Sequence, residues 1–396
     1  MKIREVPWSI LGGGYSQEEI DAIVKILRAQ VDARAGFRRQ PEERQFEQAF
    51  RAHEEAGYAV AVNACGTGLD MAMWILGVGP GDEVITSPVT FVATAQSVIR
   101  TGAKVVFADV SPVTGNLDPV KAEERMTSRT KVILPVHMNG MPADLDGFAD
   151  LSARTKVPIV YDAAHATGAR YNGRGVGGAG EMSSYSFQFT KNLSTLGEGG
   201  MVTTNNSDYH TRLQRIKTFG FEYEPVEDVL EWGSNYRMTK VQAAVGIIQL
   251  RKVDEVNRLR NRNARFISQQ LADVPEIVAP YDAGAHFCPY HLYMLRFNDE
   301  VVGASREEFL RVLRETYKVG ATIHYPPMWD FTMFRKMGYG PHDTPIAATI
   351  LRQLFNIPIF AHLSMEDLEY MVWAMKESIA AVQRRERSSV SSRVKA

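Results

Sequence analysis

Short apolar runs of strand length alternate with helical stretches over roughly the first 220 residues, and this alternation limits the folds open to the chain. Repeated strand, helix and strand units form a mostly parallel sheet, because each helix returns the chain to the edge where the previous strand began. The apolar runs are Tyr58 to Val62, Glu83 to Thr86, Val105 to Phe107, Val132 to Val136, Ile159 to Tyr161 and Met201 to Thr203. The pattern predicts an α/β domain with a mostly parallel sheet.

The organisation changes after a long helical stretch from Lys240 to Asn263, which contains one glycine, Gly246, and no proline. The segments beyond it do not alternate strictly, which is typical of a smaller α+β domain. We expect a large domain over residues 1–262, including an N-terminal segment and the connecting helix, and a small domain over 263–383. The last helix is expected near Met365 to Val382. Residues 384–396 are rich in Ser and Arg and are expected to form a disordered tail.

The charge balance excludes some classes of function. The chain has 45 Lys and Arg residues against 46 Asp and Glu residues, with no long run of one sign, which gives little support for a nucleic-acid or membrane-surface role. No apolar run approaches the ~20 residues of a membrane span, and the start, Met1 to Glu5, leads into no apolar signal core. The two cysteines, Cys65 and Cys288, lack metal-ligand spacing, so no metal site is predicted. We predict a soluble protein of the reducing cytoplasm, and small polar or anionic substrates remain open.

Two polar residues in the strand-rich region are candidates for catalysis. Asp162 ends the apolar strand Val157 to Tyr161, and an acid at a strand end can protonate and hold a pyridine nitrogen. An N-cap of a following helix explains Asp162 equally well. Lys191 precedes the glycine turn Gly197 to Gly200, and a primary amine in such a setting is what a carbonyl cofactor needs to form a Schiff base. A solvated lysine has the same local sequence, so the residues alone leave both alternatives open.

The segment Asn63 to Leu69 joins the end of a strand to the start of a helix through a glycine-bearing turn, an arrangement that suits an anion such as phosphate. Gly66 and Gly68 would let the backbone approach the anion closely, and Thr67 adds a hydroxyl. Phe91 follows the next strand and is placed to stack on a cofactor ring. An ordinary strand-to-helix turn and simple core packing are the alternatives.

Together and in this order, these elements resemble the DegT/DnrJ/StrS family of pyridoxal-phosphate-dependent sugar aminotransferases over nearly the whole chain. The matching elements are Cys65-Gly66-Thr67-Gly68-Leu69, Pro88 to Phe91, Val136 to Asp146, Asp162 to Ala169, Ser186 to Asn192, Gly197 to Gly200, and Gly233 to Met238 with Gln242 to Ala244. The resemblance implies the aspartate-aminotransferase-like fold, pyridoxal phosphate fold type I, for the large domain. His291-Leu292-Tyr293 and His324-Tyr325-Pro326 resemble further family elements near the mouth of the active site.

The resemblance also implies a role for each candidate residue. Lys191 forms the Schiff base with pyridoxal 5'-phosphate and carries protons, and Asp162 holds the pyridine nitrogen. Asn235 reaches the phosphate of the neighbouring subunit's cofactor, which implies a homodimer with shared active sites. The implied catalytic residues are Lys191 and Asp162, and the implied cofactor-binding residues are Gly66, Thr67, Gly68, Phe91, Asp162, His165, Ser186, Lys191 and Asn235.

Three residues depart from the family pattern. Cys65 stands where serine is common, which removes a hydroxyl near the phosphate. His165 stands where glutamine is common, and a histidine there would make activity depend on pH differently. The run Pro327-Met328-Trp329 replaces a usual Leu-His continuation, and the large aromatic is expected to reshape the substrate pocket.

The implied reaction moves an amino group from glutamate or glutamine to a keto sugar, most often nucleotide-linked, in amino-sugar, antibiotic or polysaccharide biosynthesis. A keto-cyclitol of the scyllo-inosose type is the alternative acceptor. A pyridoxal-phosphate-dependent sugar dehydratase and a non-catalytic regulator are alternatives of other classes. The dehydratases replace the lysine with histidine, and a regulator has no need for Lys191, Asp162 and Ser186 together. Arg34, Arg38 and Arg39 are candidates to meet a nucleotide diphosphate, although an exposed basic loop explains them as well.

Overall fold

A computed structural model of the chain describes residues 1–9, 14–29, 31, 41–222, 226–281 and 284–394, with side chains described as far as residue 385. The helices are α1 (Gln17–Ala29), α2 (Pro41–His53), α3 (Cys65–Ile75), α4 (Val92–Ile99), α5 (Pro119–Glu124), α6 (Leu145–Thr155), α7 (Ser207–Ile216), α8 (Lys240–Gln270), α9 (Asp299–Val302), α10 (Arg306–Glu315), α11 (Thr332–Lys336), α12 (Pro345–Gln353) and α13 (Met365–Val394). The strands are β1 (Tyr58–Val62), β2 (Glu83–Thr86), β3 (Lys104–Phe107), β4 (Thr130–Leu134), β5 (Val160–Asp162), β6 (Arg170–Tyr171), β7 (Arg174–Gly175), β8 (Met182–Ser186), β9 (Gly200–Thr204), β10 (Phe221–Glu222), β11 (Asp228–Val229), β12 (Ile277–Val278), β13 (Met294–Phe297) and β14 (Leu354–Asn356).

The main sheet of the large domain has the strand order β1-β9-β8-β5-β4-β2-β3. Parallel bridges from Ile133 to Ile159 and from Val136 to Asp162 join β4 to β5. Strand β9 runs antiparallel to β1 and β8, and the other neighbours pair in parallel. The mostly parallel sheet predicted from the sequence is confirmed, and the carboxyl ends of its parallel strands meet at one edge together with the start of β9.

Strand β8 is a part of this sheet that the apolar pattern missed. Its sequence Met-Ser-Ser-Tyr-Ser lacks an apolar run, yet all five residues are buried. The hydroxyl of Ser184 donates a 2.9 Å hydrogen bond to the carbonyl of Cys65, so this small polar residue ties the start of α3 to the sheet. Buried residues that are polar and hydrogen-bonded, such as these serines, do not produce the apolar run by which a buried strand is recognised in a sequence.

The C-terminal part forms an antiparallel sheet in the order β12-β13-β14, which packs with α10 and α13 around a separate apolar core. The N-terminal segment joins this core, since buried Val6 pairs in parallel with Val319. Conversely, Phe334 packs in the same apolar cluster as Leu69 of the large domain. Segments from both ends of the chain therefore cross the boundary predicted at residue 262, which itself falls inside α8.

The last helix differs from the sequence prediction. It was expected to end near Val382 and to be followed by disorder, whereas α13 continues to Val394. The reason is that Met365–Val394 contains no proline or glycine to interrupt the helix. In the part of the chain that the structure describes, no helix has the length and apolar character needed to cross a membrane.

Candidate active site

Asp162 lies at the carboxyl end of β5, at the edge where the parallel strands end, and its side chain is 5% exposed. Its Oδ2 accepts a 2.7 Å hydrogen bond from the hydroxyl of Thr94, and its Oδ1 accepts one of 3.1 Å from the amide of Ala164. Burial raises the pKa of this carboxyl, while the two hydrogen bonds and the charge of Lys191 act in the opposite direction. Residues 163–169 form turns rather than a helix, so the N-cap alternative for Asp162 is wrong.

Lys191 lies in the loop between β8 and β9, and backbone hydrogen bonds fold this loop back on itself. The amide of Phe187 donates to the carbonyl of Gly199 at 2.8 Å, and that of Phe189 donates to the carbonyl of Gly197 at 2.9 Å. Gly197 has a φ of +122°, a conformation that side chains disfavour, so the glycine turn is required for this fold of the loop.

The amine of Lys191 is partly buried and has a specific partner. Its Nζ lies 3.2 Å from Nε2 of His291, a residue that the sequence analysis placed only near the mouth of the site. Desolvation by the surrounding protein lowers the pKa of Lys191 to about 8, while Cys65 and Asp162 act to raise it. This environment is not that of a solvated surface lysine.

His165 lies beside this amine and is 7% exposed. Its Nδ1 accepts a 3.3 Å hydrogen bond from the amide of Asn139, so the ring proton lies on Nε2, 3.4 Å from the hydroxyl of Tyr325. Burial, followed by the charges of Lys191 and His324, places the pKa of His165 well below its usual value. His165 is therefore neutral near pH 7, so its titration does not supply the different pH dependence expected from the sequence.

The start of α3 forms the other end of the site. Its N-cap residue, Ala64, offers no side-chain hydrogen bond, so the amides of the first turn have no cap. Gly66 and Thr67 belong to this turn, and a Cβ added at Gly66 would meet nothing within 4 Å. An uncapped helix start beside open space fits the phosphate group that the sequence analysis assigned to it.

Gly68 has a structural explanation that the sequence analysis did not consider. Its amide donates to the carbonyl of Ala64 at 3.2 Å, within the helix. A Cβ added at Gly68 would lie 2.4 Å from Oγ of Ser184 and 2.6 Å from Cγ2 of Val202. Gly68 therefore allows α3 to approach β8 and β9 closely, and its geometry gives no support to a direct phosphate contact.

Ser186 and Phe91 occupy two further borders of the site. Ser186, at the end of β8, pairs with Gly200, and a Cβ added at Gly200 would lie 2.7 Å from the amide nitrogen of Cys65. The pairing brings Ser186 next to the start of α3.

Phe91 is 52% exposed and its ring centroid lies 5.3 Å from that of Tyr325, so Phe91 presents a free aromatic surface rather than core packing.

Asn235 lies on the surface, in the loop that precedes α8. Its Oδ1 accepts a 3.0 Å hydrogen bond from Nε of Arg237, and its carbonyl lies 3.5 Å from Nδ2 of Asn63. Asn63 lies two residues before the start of α3, so the loop borders the first turn of that helix. The contribution of Asn235 to a neighbouring subunit stays a prediction.

A sequence model of the DegT/DnrJ/EryC1/StrS aminotransferase family matches residues 16–376. The chain belongs to this family. It is 33% identical over 376 residues to the spore coat polysaccharide biosynthesis protein SpsC of Bacillus subtilis (strain 168), covering 92% of this chain and 95% of that protein. It is 35% identical over 321 residues to a pleiotropic regulatory protein of Geobacillus stearothermophilus, covering 79% and 83% of the two chains.

The solved structure of DesV from S. venezuelae superposes with a TM-score of 0.84 at 32% identity, covering 92% of this chain and 94% of DesV. The family resemblance, the fold class and the assignment as a pyridoxal-phosphate-dependent transaminase are thereby confirmed. The residues at the sheet edge fit this cofactor of the DegT/DnrJ/EryC1/StrS family. They provide a buried acid for the ring nitrogen, a desolvated amine for the carbonyl and an uncapped helix start for the phosphate.

Several expectations for this family member change with the structure. The thiol of Cys65 faces the carbonyl of Ser184 at 3.3 Å and Oδ1 of Asp162 at 3.8 Å, so it points toward β8 and the end of β5. Trp329 is 8% exposed and packs in an apolar cluster with Val89, so it does not line an open pocket. The predicted nucleotide contacts Arg34, Arg38 and Arg39 lie outside the described residues. Within the described ranges, no group of His, Cys, Asp and Glu side chains is arranged to hold a metal ion.

Three residues that contact the candidate site residues were not predicted as part of the site. Thr94 and Asn139 escaped notice because each acts on a residue far away in the sequence, Asp162 and His165 respectively. His291 carried a signal, its place in a family element, but that signal did not indicate contact with Lys191.

Proposed function

We propose that this protein transfers an amino group from glutamate or glutamine to a keto sugar, with pyridoxal phosphate attached to Lys191. The observation that carries this proposal is the convergence of a desolvated lysine amine, a buried carboxyl and an uncapped helix start at one sheet edge. The same edge is where open α/β sheets bind their ligands. The keto-sugar class rests on the resemblance to the family and on the relatedness to SpsC, a polysaccharide biosynthesis protein.

The proposal assigns the cofactor contacts to residues on three sides. Asp162 would hold the ring nitrogen, Phe91 would cover one face of the ring, and His165 would contact the ring through its Nε2 proton. The amides of Gly66 and Thr67 and the hydroxyl of Ser186 would bind the phosphate. When bound, pyridoxal phosphate supplies an electron-withdrawing ring that stabilises the charge left when a proton leaves the carbon bearing the amino group.

Each of these side chains has a defined task in the proposed reaction. With a pKa of about 8, the amine of Lys191 can accept a proton near neutral pH and give it back at a neighbouring carbon. The carboxyl of Asp162 holds a proton on the ring nitrogen, and its hydrogen bond from Thr94 favours the ionised form that this task needs. The neutral ring of His165 donates a hydrogen bond without adding a charge beside Lys191.

The proposed enzyme is a cytoplasmic homodimer with shared sites. A group of exposed apolar side chains near Asn235 supports this assembly, since an apolar surface of this kind marks a protein interface. The group comprises Phe219, Val226, Val229, Leu230 and Trp232, which are between 46% and 73% exposed. Asn235 lies three residues after Trp232, so a second copy that covers this group would also meet the loop of Asn235.

The other candidate functions have less support. A sugar dehydratase of this family would carry histidine in place of Lys191. A non-catalytic regulator would not need an amine with a lowered pKa opposite a hydrogen-bonded acid. A keto-cyclitol acceptor differs from a keto sugar only in the substrate, and no described residue favours it.

The test is spectroscopic. The purified protein should show the visible absorption of pyridoxal phosphate linked to a lysine, and glutamate or glutamine should convert that band to the pyridoxamine phosphate spectrum. Lys191→Ala should abolish the lysine-linked band, whereas Lys121→Ala, at an exposed lysine, should keep it. An unchanged band and turnover in Lys191→Ala would refute the proposal. Nucleotide-linked keto sugars and free keto-cyclitols, assayed side by side, would then identify the acceptor class.

A further inference from the structure

His291 is the hydrogen-bond partner of the Lys191 amine, and its position is fixed from three sides. Its amide donates a 2.9 Å hydrogen bond to the carbonyl of Asn139. Its carbonyl accepts a 3.3 Å hydrogen bond from Nη1 of Arg260, a fully buried residue of α8. The centroid of its ring lies 4.4 Å from that of His165. The first two contacts fix the main chain of His291 and the third places its ring, whose Nε2 lies 3.2 Å from the Nζ of Lys191.

The second ring nitrogen of His291 indicates where the proton lies. Nδ1 is buried and has no hydrogen-bond partner among the described residues. A proton on Nδ1 would have no acceptor, whereas a proton on Nε2 has the free amine of Lys191 as its acceptor, so the favoured form of the neutral ring beside a free amine has a bare Nδ1 and a proton on Nε2. In this form His291 is a donor toward Lys191. A donor can pair with Nζ only when the amine is free of a proton and offers its lone pair.

We propose that His291 is a positioning residue that donates its Nε2 proton in a hydrogen bond to the free amine of Lys191. The hydrogen bond holds Nζ in place and stabilises its neutral form during the part of the cycle in which the lysine is not bonded to the cofactor. This inference rests on the proposed role of Lys191. No proton changes owner in this contact, since the imidazole keeps its proton. The lone pair of the amine accepts the hydrogen bond, and this hydrogen bond must break before the lone pair takes a proton from the substrate.

The surrounding charges determine what a pH titration would report. Asp162 and Cys65 face Lys191 from β5 and α3. Burial keeps the pKa of His291 well below its usual value, and the charges of Lys191, His165, Arg260 and His324 add to this effect. These imidazoles are therefore neutral near pH 8. A titration in that range reports the amine of Lys191 itself.

The experiment measures the pKa of Lys191 in the full-length chain after removal of the cofactor. An amine-reactive acetylating reagent is applied over a range of pH, and the labelled Lys191 peptide is quantified by mass spectrometry. His291→Met keeps a side chain of similar size and removes the donor, and His291→Gln keeps an N–H donor. Because a neutral hydrogen bond contributes about 1 kcal/mol, the Met variant should raise the pKa of Lys191 by roughly 0.5–1 unit. The Gln variant should restore most of the wild-type value.

An unchanged or lower pKa in His291→Met, or an equal shift in both variants, would overturn the inference. A nitrogen-15 NMR spectrum of histidine-labelled wild-type protein gives an independent answer, with the His291 signals assigned by their loss in His291→Gln. At a pH well above the pKa of Lys191, where its amine is free of a proton, protonated Nε2 and bare Nδ1 would support the inference. A proton on Nδ1 at that pH would overturn it even if His291→Met failed to fold. Because these measurements use the chain without cofactor, they can fail while the lysine-linked absorption band persists, and the two proposals are tested separately.

Discussion

The hydroxyl of Thr94 donates a 2.7 Å hydrogen bond to Oδ2 of Asp162, and both residues are buried. Thr94 lies in the first turn of α4, after β2, while Asp162 ends β5, so the contact connects two segments that lie 68 positions apart. The contact decides how strongly the buried carboxyl favours its ionised form, because burial alone would raise its pKa.

Thr94→Val should weaken binding of pyridoxal phosphate. A hydrogen bond to a charged group contributes about 1.5–3 kcal/mol, so we expect the affinity to fall roughly 10- to 100-fold. Without this donor the pKa of Asp162 rises further, so binding should also begin to fail at a higher pH than in the wild type as the solution is acidified. Absorption titrations of the cofactor-free protein with pyridoxal phosphate measure both effects.

Ser97→Ala is the matched control for Thr94→Val. Ser97 lies in the same helix, is buried, and donates only to the backbone carbonyl of Thr94 at 2.7 Å. An equal loss of affinity in Ser97→Ala would mean that packing of α4, and not the hydrogen bond to Asp162, is responsible.

His165→Gln should leave the shape of the pH–activity profile unchanged. The pKa of His165 lies well below 6.5, mainly because of burial, so the ring is already neutral across the neutral range and has no titration there to lose. Glutamine keeps an N–H donor of similar reach. Initial rates measured from pH 6 to pH 9 check this, and a limb of the profile that disappears in His165→Gln would contradict the assignment of a neutral ring.

Gly68→Ala should destabilise the protein, whereas Gly66→Ala should not. The added methyl group at residue 68 meets Ser184 and Val202 at 2.4 and 2.6 Å, and overpacking of this kind costs about 1–3 kcal/mol. At residue 66 the methyl group enters open space, and alanine in a helix is favoured over glycine by about 0.5–1 kcal/mol. Thermal unfolding of the two variants gives the comparison, and equal melting temperatures would contradict the close packing of α3.

Glu19→Gln should lower stability in a pH-dependent way. Burial alone would raise the pKa of Glu19, but hydrogen bonds from Lys252, Ser16 and Gln249 hold it at about 2. The contribution to stability is therefore present above the unfolded pKa and is lost as the pH falls through 4.5 toward 2. We expect the variant to lose about 2 kcal/mol of unfolding free energy at pH 7, and the difference from wild type to shrink below pH 4.5.

Urea unfolding at pH 7 and pH 4 measures this difference. Glu18→Gln, one residue earlier in α1, is the control because its ion pair with Arg251 is exposed and is expected to contribute about 0.5 kcal/mol or less. A loss in Glu19→Gln that is equal at both pH values would show that the carboxyl charge is not its cause.

The sequence predicted those strands and helices whose signal lies within a few consecutive residues, such as an apolar run or a capping box. Strands such as β1 and β4 are apolar runs, and α8 begins at a capping box formed by Thr239 and Gln242, so each can be recognised within a few residues. Strand β8 lacked such a signal because its buried serines are stabilised by hydrogen bonds to other elements. Helix α13 extends to Val394, beyond the predicted end, because the sequence from Met365 to Val394 contains no proline or glycine that would end it.

The sequence by itself determined the family, the cofactor and the candidates Lys191 and Asp162, because these follow from motifs whose residues are close together along the chain. The tertiary structure decided what surrounds them. It placed His291 against the amine of Lys191, gave Asp162 a donor in Thr94, and packed Gly68 closely against β8 and β9. The physical reason is that burial and hydrogen bonding, which set the pKa values of the site, depend on contacts between strand ends and loops that only the folded sheet brings together.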